Sequence, residues 1–189
     1  MGRASKEQAQ ENRRRIVDTA SRLFREQGTD GVSVADLMKA AGLTHGGFYK
    51  HFDSKEALVD EATAVAFDDF AEQGAAPAGA GDGEGDAKTA RGAFVDHYLS
   101  PAHRDDMAGG CPTAGLAVDM ARGAAGSAAR HTYAEGVRAF ARQMADDDEG
   151  DDGLARLSTM VGALILARAV RDDPLSDELL AAARAEVSE

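Results

Sequence analysis

The side chains best suited to chemistry fall in two short stretches. One is GLTHGGFYKHF, Gly42 to Phe52, where His45, Tyr49, Lys50 and His51 bring ring nitrogens, a phenol and an ammonium around the adjacent glycines Gly46 and Gly47. A glycine in a helix interior costs roughly 1 kcal/mol relative to alanine. A pair of them works against local stability unless something must approach the backbone closely. The other stretch is GGCPTAGL, Gly109 to Leu116, which holds the single cysteine, Cys111, between two helix breakers and a proline suited to a first helical turn. A thiol there meets the positive end of a helix dipole, which lowers its pKa and favours the thiolate, the form that reacts with oxidants and electrophiles.

Other candidate chemistry is weaker. The run GAGDGEG lacks GxGxxG spacing and a preceding strand, and its acids would repel phosphate. In DDDEGDD, Asp146 to Asp152, the glycine falls one place too early for a calcium loop and Leu157 stands where the closing glutamate belongs, so a solvated connection is expected. His97, His103 and Asp105 near Cys111 have no tight ligand spacing. No metal and no cofactor is expected.

Bulk composition restricts the partners. The 189-residue chain carries a net charge of −12, which opposes indiscriminate attraction to nucleic acid. Residues 1–55, however, hold ten basic and seven acidic side chains, an excess of three positive charges that leaves −15 on the remainder. One end can meet a polyanion while the other keeps the molecule in solution. One cysteine excludes a disulfide within the chain and fits a reducing compartment. No apolar run has the length of a signal peptide or of a membrane span, about 18 residues, so a cytoplasmic protein without a membrane partner is expected.

The elements that must position these residues read as helices throughout, with no strong strand period and no internal repeat. Ile16, Ala20, Leu23 and Phe24 define an amphipathic helix from about residue 9 to Gln27, stopped by Gly28. Ser33 opens a second, short helix to about Ala41, with Asp36 in the place of a capping-box glutamate. After a turn at Gly42 and Leu43, Thr44 is a suitable cap for a third helix ending near His51, and Asp53 or Ser54 caps a fourth that runs to about Glu72. Residues 74–87, GAAPAGAGDGEGDA, read as a flexible loop. Further helices are expected near 88–99, 112–122, 127–145, 154–171 and 174–188, and the helix over 154–171 is apolar nearly all round.

Two short helices joined by a glycine-containing turn, packed on a longer one in the only basic part of the chain, form a helix-turn-helix. The segment Ile16 to Leu58, with LFREQG, VSVADLMKAAGLTHGGFYKHF and SKEAL, closely resembles the DNA-binding domain of TetR-like (TetR/AcrR) transcriptional repressors. The resemblance covers roughly the first third of the chain. It implies an all-α protein in which residues 1–55 form the DNA-binding unit, a connecting helix runs to 73, and 88–189 form a helical effector-binding and dimerisation domain. The recognition helix would enter the major groove, where Gly46 and Gly47 make room. Tyr49, His51 and Lys55 match positions that grip phosphates, and Ser33 and Thr44 add contacts at helix starts. His45 and Lys50, with Thr44, are placed to reach bases.

The same resemblance implies a homodimer paired through its last two helices, a palindromic double-stranded DNA operator and an inducer pocket in the remaining helices. The placement of Cys111 resembles that in TetR-like repressors that sense electrophiles and oxidants, so the expected signal is a small-molecule inducer, an electrophile or an oxidant. The rivals are a small enzyme with a Cys111 nucleophile, for which no base or oxyanion site is evident, and an interaction module without DNA binding.

Overall fold

A computed structural model describes residues 2–74, 84–145 and 150–188. Every regular element among them is a helix. The N-terminal unit is built from α1 (Gly2–Gln27), α2 (Val34–Ala40), a 3₁₀ helix over His45–Lys50 and the first half of α3 (Lys55–Gly74). The remaining helices are α4 (Glu84–Tyr98), α5 (Pro101–Asp105), α6 (Pro112–Arg122), α7 (Ala128–Met144), α8 (Leu154–Ala169) and α9 (Leu175–Val187).

Local chemistry explains most boundaries. Gly28 ends α1 with φ of +76° and donates its N–H to the Phe24 carbonyl, 3.0 Å. Ser33 caps α2 by accepting from the Asp36 N–H at 3.1 Å, and Ser54 caps α3 by accepting from Ala57 at 3.2 Å. Ser100 and Ser127 do the same for α5 and α7, and Pro101 and Pro112 occupy first helical positions. Asp151 and Asp152 accept from the Gly153 and Leu154 N–H groups at the start of α8, at 2.8 and 3.0 Å.

Four sequence expectations change. Helix α1 starts at Gly2, a full two turns before the expected residue 9. The third helix is 3₁₀ rather than α, and the Thr44 side chain makes no capping bond; the turn is closed instead by the Gly47 N–H on the Thr44 carbonyl at 2.9 Å. With two glycines in six residues, the tighter i+3 pattern of a 3₁₀ helix suffices for so short a segment. Residues 84–87, expected in the flexible loop, begin α4, and residues 75–83 lie outside the described residues, as do Asp146 to Glu149 of the acidic run. Helix α5 was not expected, although the Ser100-Pro101 pair is a start signal.

Two apolar clusters hold the molecule together. The first joins Ile16, Ala20 and Phe24 of α1 to Leu37, Met38, Phe48, Phe52 and Leu58, and continues into Leu116 and Met120 of α6 and Ala129 of α7. The N-terminal unit is therefore cemented to α6 by shared core. Arg13 lies over the Phe52 ring, 4.5 Å from its centroid, and forks onto both Glu61 carboxylate oxygens, fastening α1 to α3. The second cluster packs Phe70, Val95, Tyr98 and Leu99 against Phe140, Met144, Leu157, Met160 and Leu164. In this cluster Phe70 meets Phe94, Tyr98 and Phe140 edge to face, with centroids 5.4–6.2 Å apart.

Candidate nucleic-acid interface

The segment from Ser33 to Lys55 forms a continuous edge of the N-terminal unit. Its apolar side chains turn inward: Leu37, Met38, Phe48 and Phe52 are buried, and the Phe48 and Phe52 rings stack with centroids 5.6 Å apart. Anchored by these rings, the 3₁₀ helix presents Thr44, His45, Gly46, Tyr49 and Lys50 to solvent, with Gly47, His51 and Lys55 half-buried at its margins. Tyr49 is 67% exposed and packs only the edge of its ring against Phe48, at 5.2 Å, which leaves the phenol free to reach outward.

The two glycines are not demanded by packing. A Cβ built on Gly46 would meet no atom within 4 Å, and one on Gly47 would make only ordinary contacts with Met38 Cε at 3.5 Å and Thr44 Oγ1 at 3.6 Å. Neither has positive φ, unlike Gly42 at +68°, which turns the chain between α2 and the 3₁₀ helix. Among the described residues nothing crowds a side chain at 46. The space there is open toward solvent, between His45 and Tyr49.

Eight of the nine residues expected to form the interface, Thr44 through Lys55, come together on this one edge. Ser33 is exposed nearby, but its hydroxyl is occupied: it accepts from the Asp36 N–H and donates to Asp36 Oδ2 at 2.5 Å. Asp is one methylene shorter than Glu, so the carboxylate reaches the Ser33 hydroxyl rather than the Ser33 N–H of a full capping box.

The second expected site is reorganised. Cys111 does precede the first turn of α6, but it is 1% exposed, and burial pushes its thiol pKa up. The Tyr98 and Thr113 hydroxyls and the Ala114 backbone act in the opposite direction and do not offset the loss of water. The expected low-pKa helix-start thiolate is therefore absent; full desolvation of an anion outweighs a helix end that supplies about half a charge. His103 does not activate the sulfur either. Its Nε2 accepts from the Cys111 N–H at 3.1 Å while Nδ1–H donates to the Tyr98 carbonyl at 2.7 Å, and burial pushes its pKa down to about 4. No nucleophile and base face each other here. Among the described residues no three of His, Cys, Asp and Glu come together to hold a metal ion.

Beside this buried centre lies a cavity of about 500 Å³ lined by Phe70, Phe94, His97, His103, Asp106 and Gly110, with further small residues. Sequence reasoning did not assemble it, because its walls come from α3, α4, α5 and the loop before α6, and each aromatic taken singly reads as ordinary core.

A short helix over His45–Lys50, seated by α2 on a long α1 and carried on a helical body, forms a helix-turn-helix. Residues 16–62 match the family described as bacterial regulatory proteins, tetR family. The chain is 46% identical over 61 residues to the HTH-type transcriptional regulator AcrR of Shigella flexneri and 44% identical over 58 residues to the HTH-type transcriptional repressor KstR2 of Rhodococcus jostii. These matches cover 32% and 31% of this chain and 28% of each relative. Over nearly the whole chain the fold is similar to the reduced form of E. coli NemR, with a TM-score of 0.75, 20% identity and coverage of 94% of this chain and 95% of that one. A TetR transcriptional regulator from Chloroflexus aurantiacus superposes with a TM-score of 0.74 at 24% identity, covering 96% and 94%.

Proposed function

We propose that this protein is a repressor that binds a palindromic double-stranded operator as a homodimer and releases it when a small molecule enters the body. The observation that carries the reading is the open space at Gly46, ringed by exposed His45, Tyr49 and Lys50 on the basic part of an acidic chain. A backbone left bare at the outer edge of a helix-turn-helix fits a major groove, where base edges must come close. Tyr49, His51 and Lys55 then serve the phosphates, with Lys55 at the start of α3, and His45, Lys50 and Thr44 serve the bases.

Helices α8 and α9 supply a face for the partner. Ala155, Ser158, Gly162, Ile165 and Ala169 recur at three- and four-residue intervals on the outer side of α8, Leu166 beside them is 54% exposed, and a Cβ on Gly162 would meet nothing within 4 Å. Small residues at that spacing allow a second helix to approach closely. Leu164, by contrast, is fully buried within its own subunit, so Ile165 and Leu166 are the positions at which a charge should separate the dimer. For the effector, the 500 Å³ cavity favours a small molecule over an oxidant acting on Cys111, since the cavity is open and the thiol is buried with a raised pKa.

Selection of fragments from a random duplex pool tests the reading. Recovery of inverted repeats, with binding that weakens steeply as salt rises, supports it. No enrichment over unselected DNA at low salt would refute it. Sedimentation should give a dimer that Ile165→Glu converts to monomer.

A further inference from the structure

The contacts around Gly109 and Gly110 tie the cavity to the N-terminal unit. Arg25, near the end of α1, is 2% exposed, and its guanidinium is held by neutral oxygens. Nε donates to the Ser21 carbonyl at 3.0 Å and Nη2 to the Ser21 hydroxyl at 3.3 Å; Nη1 crosses to the carbonyls of Gly110 at 2.9 Å and Gly109 at 3.3 Å. Among the described residues no carboxylate pairs with it directly, and Asp69 and Asp106 act only through space. A buried charge stripped of water cannot cheaply give up such acceptors. Helix α1 and this loop are therefore constrained to move together.

The loop is gripped from its other side as well. Arg168 of α8 donates through Nε to the Arg104 carbonyl at 3.1 Å and through Nη2 to the carbonyls of His103 and Asp106, both at 3.2 Å. One turn from the far end of α6, the Asp119 carboxylate accepts from the Thr29 N–H at 2.6 Å and from its hydroxyl at 2.7 Å, just beyond the end of α1. His103, Asp106, Gly109 and Gly110 also form one wall of the 500 Å³ cavity. Whatever shifts that wall therefore disturbs the acceptors of both Arg25 and Arg168.

We propose that Arg25 is a positioning residue that couples the cavity wall at Asp106–Gly110 to α1, so that the placement of the recognition segment and the state of this loop form one equilibrium. The loop in turn bears on α8 through Arg168, which connects each recognition segment to the face assigned to the second subunit. The coupling deepens the operator-and-effector reading, but its geometry stands without DNA. Coupling is reciprocal, so a disturbance at the loop must appear in the N-terminal unit, and engagement of that unit must appear at the loop.

A substitution in the loop provides the probe. In the full chain, hydrogen exchange of the amides of residues 16–52 is compared between wild type and Asp106→Ala, which frees the Gly109 N–H from its 2.8 Å bond to the Asp106 carboxylate, with the α9 amides as a control for global unfolding. Exchange over 16–52 should rise about tenfold in Asp106→Ala with α9 unchanged. In an Arg25→Met background the same substitution should produce no rise, and in Arg25→Lys, which keeps the charge but cannot span both carbonyls, a reduced one. If Arg25→Met does not fold, Arg25→Lys decides. A rise of the same size in every background, or none when Arg25 is intact, would overturn the proposal. With a selected operator fragment, the converse experiment should show exchange of the amides of residues 106–110 slowed by DNA in the wild type and unaffected in Arg25→Lys; recovery of no fragment counts against operator binding and leaves the loop variant to decide the coupling.

Discussion

Gly46 and Gly110 are the same residue put to opposite uses. A side chain at Gly46 would project into empty space, whereas one at Gly110 would overlap the Asp106 carbonyl and come within 2.7 Å of Arg168 Nη2. The segment around Gly46 is short, 3₁₀ and solvent-facing, anchored through Phe48 and its neighbours. The loop leading to Gly110 is half-buried, and its carbonyls are clasped by two guanidiniums. The contrast teaches that the same residue type can leave a surface open, as at Gly46, or admit a close approach of backbone and side chains, as at Gly110.

Substitution is the direct way to break this contrast. Gly110→Leu should destabilise the fold by roughly 4 kcal/mol, because backbone and a buried guanidinium cannot move aside; chemical denaturation measures it, and a loss below about 1 kcal/mol would mean that the loop is looser than its contacts indicate. Gly46→Leu should leave stability unchanged or raise it by up to about 1 kcal/mol, yet lower operator affinity about a hundredfold, as befits the loss of close approach. Wild-type affinity in this variant, read by gel shift, would end the assignment of Gly46 to the interface.

The buried His103 beside this loop should also make it the acid-sensitive region. The His103 ring is kept neutral, with its pKa pushed from the model-peptide 6.5 down to about 4 by burial. Between those values the unfolded chain takes up a proton that the folded chain does not. The stability held by the neutral ring is thus complete above pH 6.5 and declines as the pH falls toward 4, by about 3 kcal/mol in all. His103→Gln, although less stable at pH 7, should lose less across that window. Parallel declines for wild type and variant in denaturation series would assign the acid sensitivity elsewhere.

The smallest effects belong to the wet edge. Lys55→Ala should weaken binding to all sequences alike and reduce the slope of log affinity against log salt by about 1. Tyr49→Phe should cost about 1 kcal/mol of affinity, the worth of one phosphate hydrogen bond. His45→Ala should instead change which fragments are selected. A uniform loss for His45→Ala, or a changed preference for Lys55→Ala, would exchange their roles.

The helix-turn-helix was legible in the sequence because everything that defines it lies within about forty residues. Ile16, Phe24, Leu37, Phe48 and Leu58 set the buried faces, Ser33 and Ser54 set the helix starts, and Gly42 sets the turn; each acts through periodicity or a hydrogen bond to a neighbour three or four residues away. Helix α6 was also placed correctly, from Pro112 and the apolar spacing of Leu116 and Met120. The 3₁₀ form of the third helix was not, since the sequence signals of a helix start do not separate an i+3 from an i+4 ladder over six residues.

The sequence alone determined the helical class, the helix-turn-helix, the place of the glycine pair in its third helix and the helix-start position of Cys111, because these depend on side-chain period and capping within a few turns. Only the tertiary structure decided what surrounds that cysteine. Arg25 reads as one more surface charge on an amphipathic helix until Gly109 and Gly110, 84 and 85 residues away, arrive with their carbonyls, and Asp119 meets Thr29 across 90 residues. Burial is set by what packs on top. The helix end at Cys111 was a local feature, but the removal of water that raises its pKa came from Tyr98, α8 and the loop closing over it, contacts that no spacing along the chain encodes.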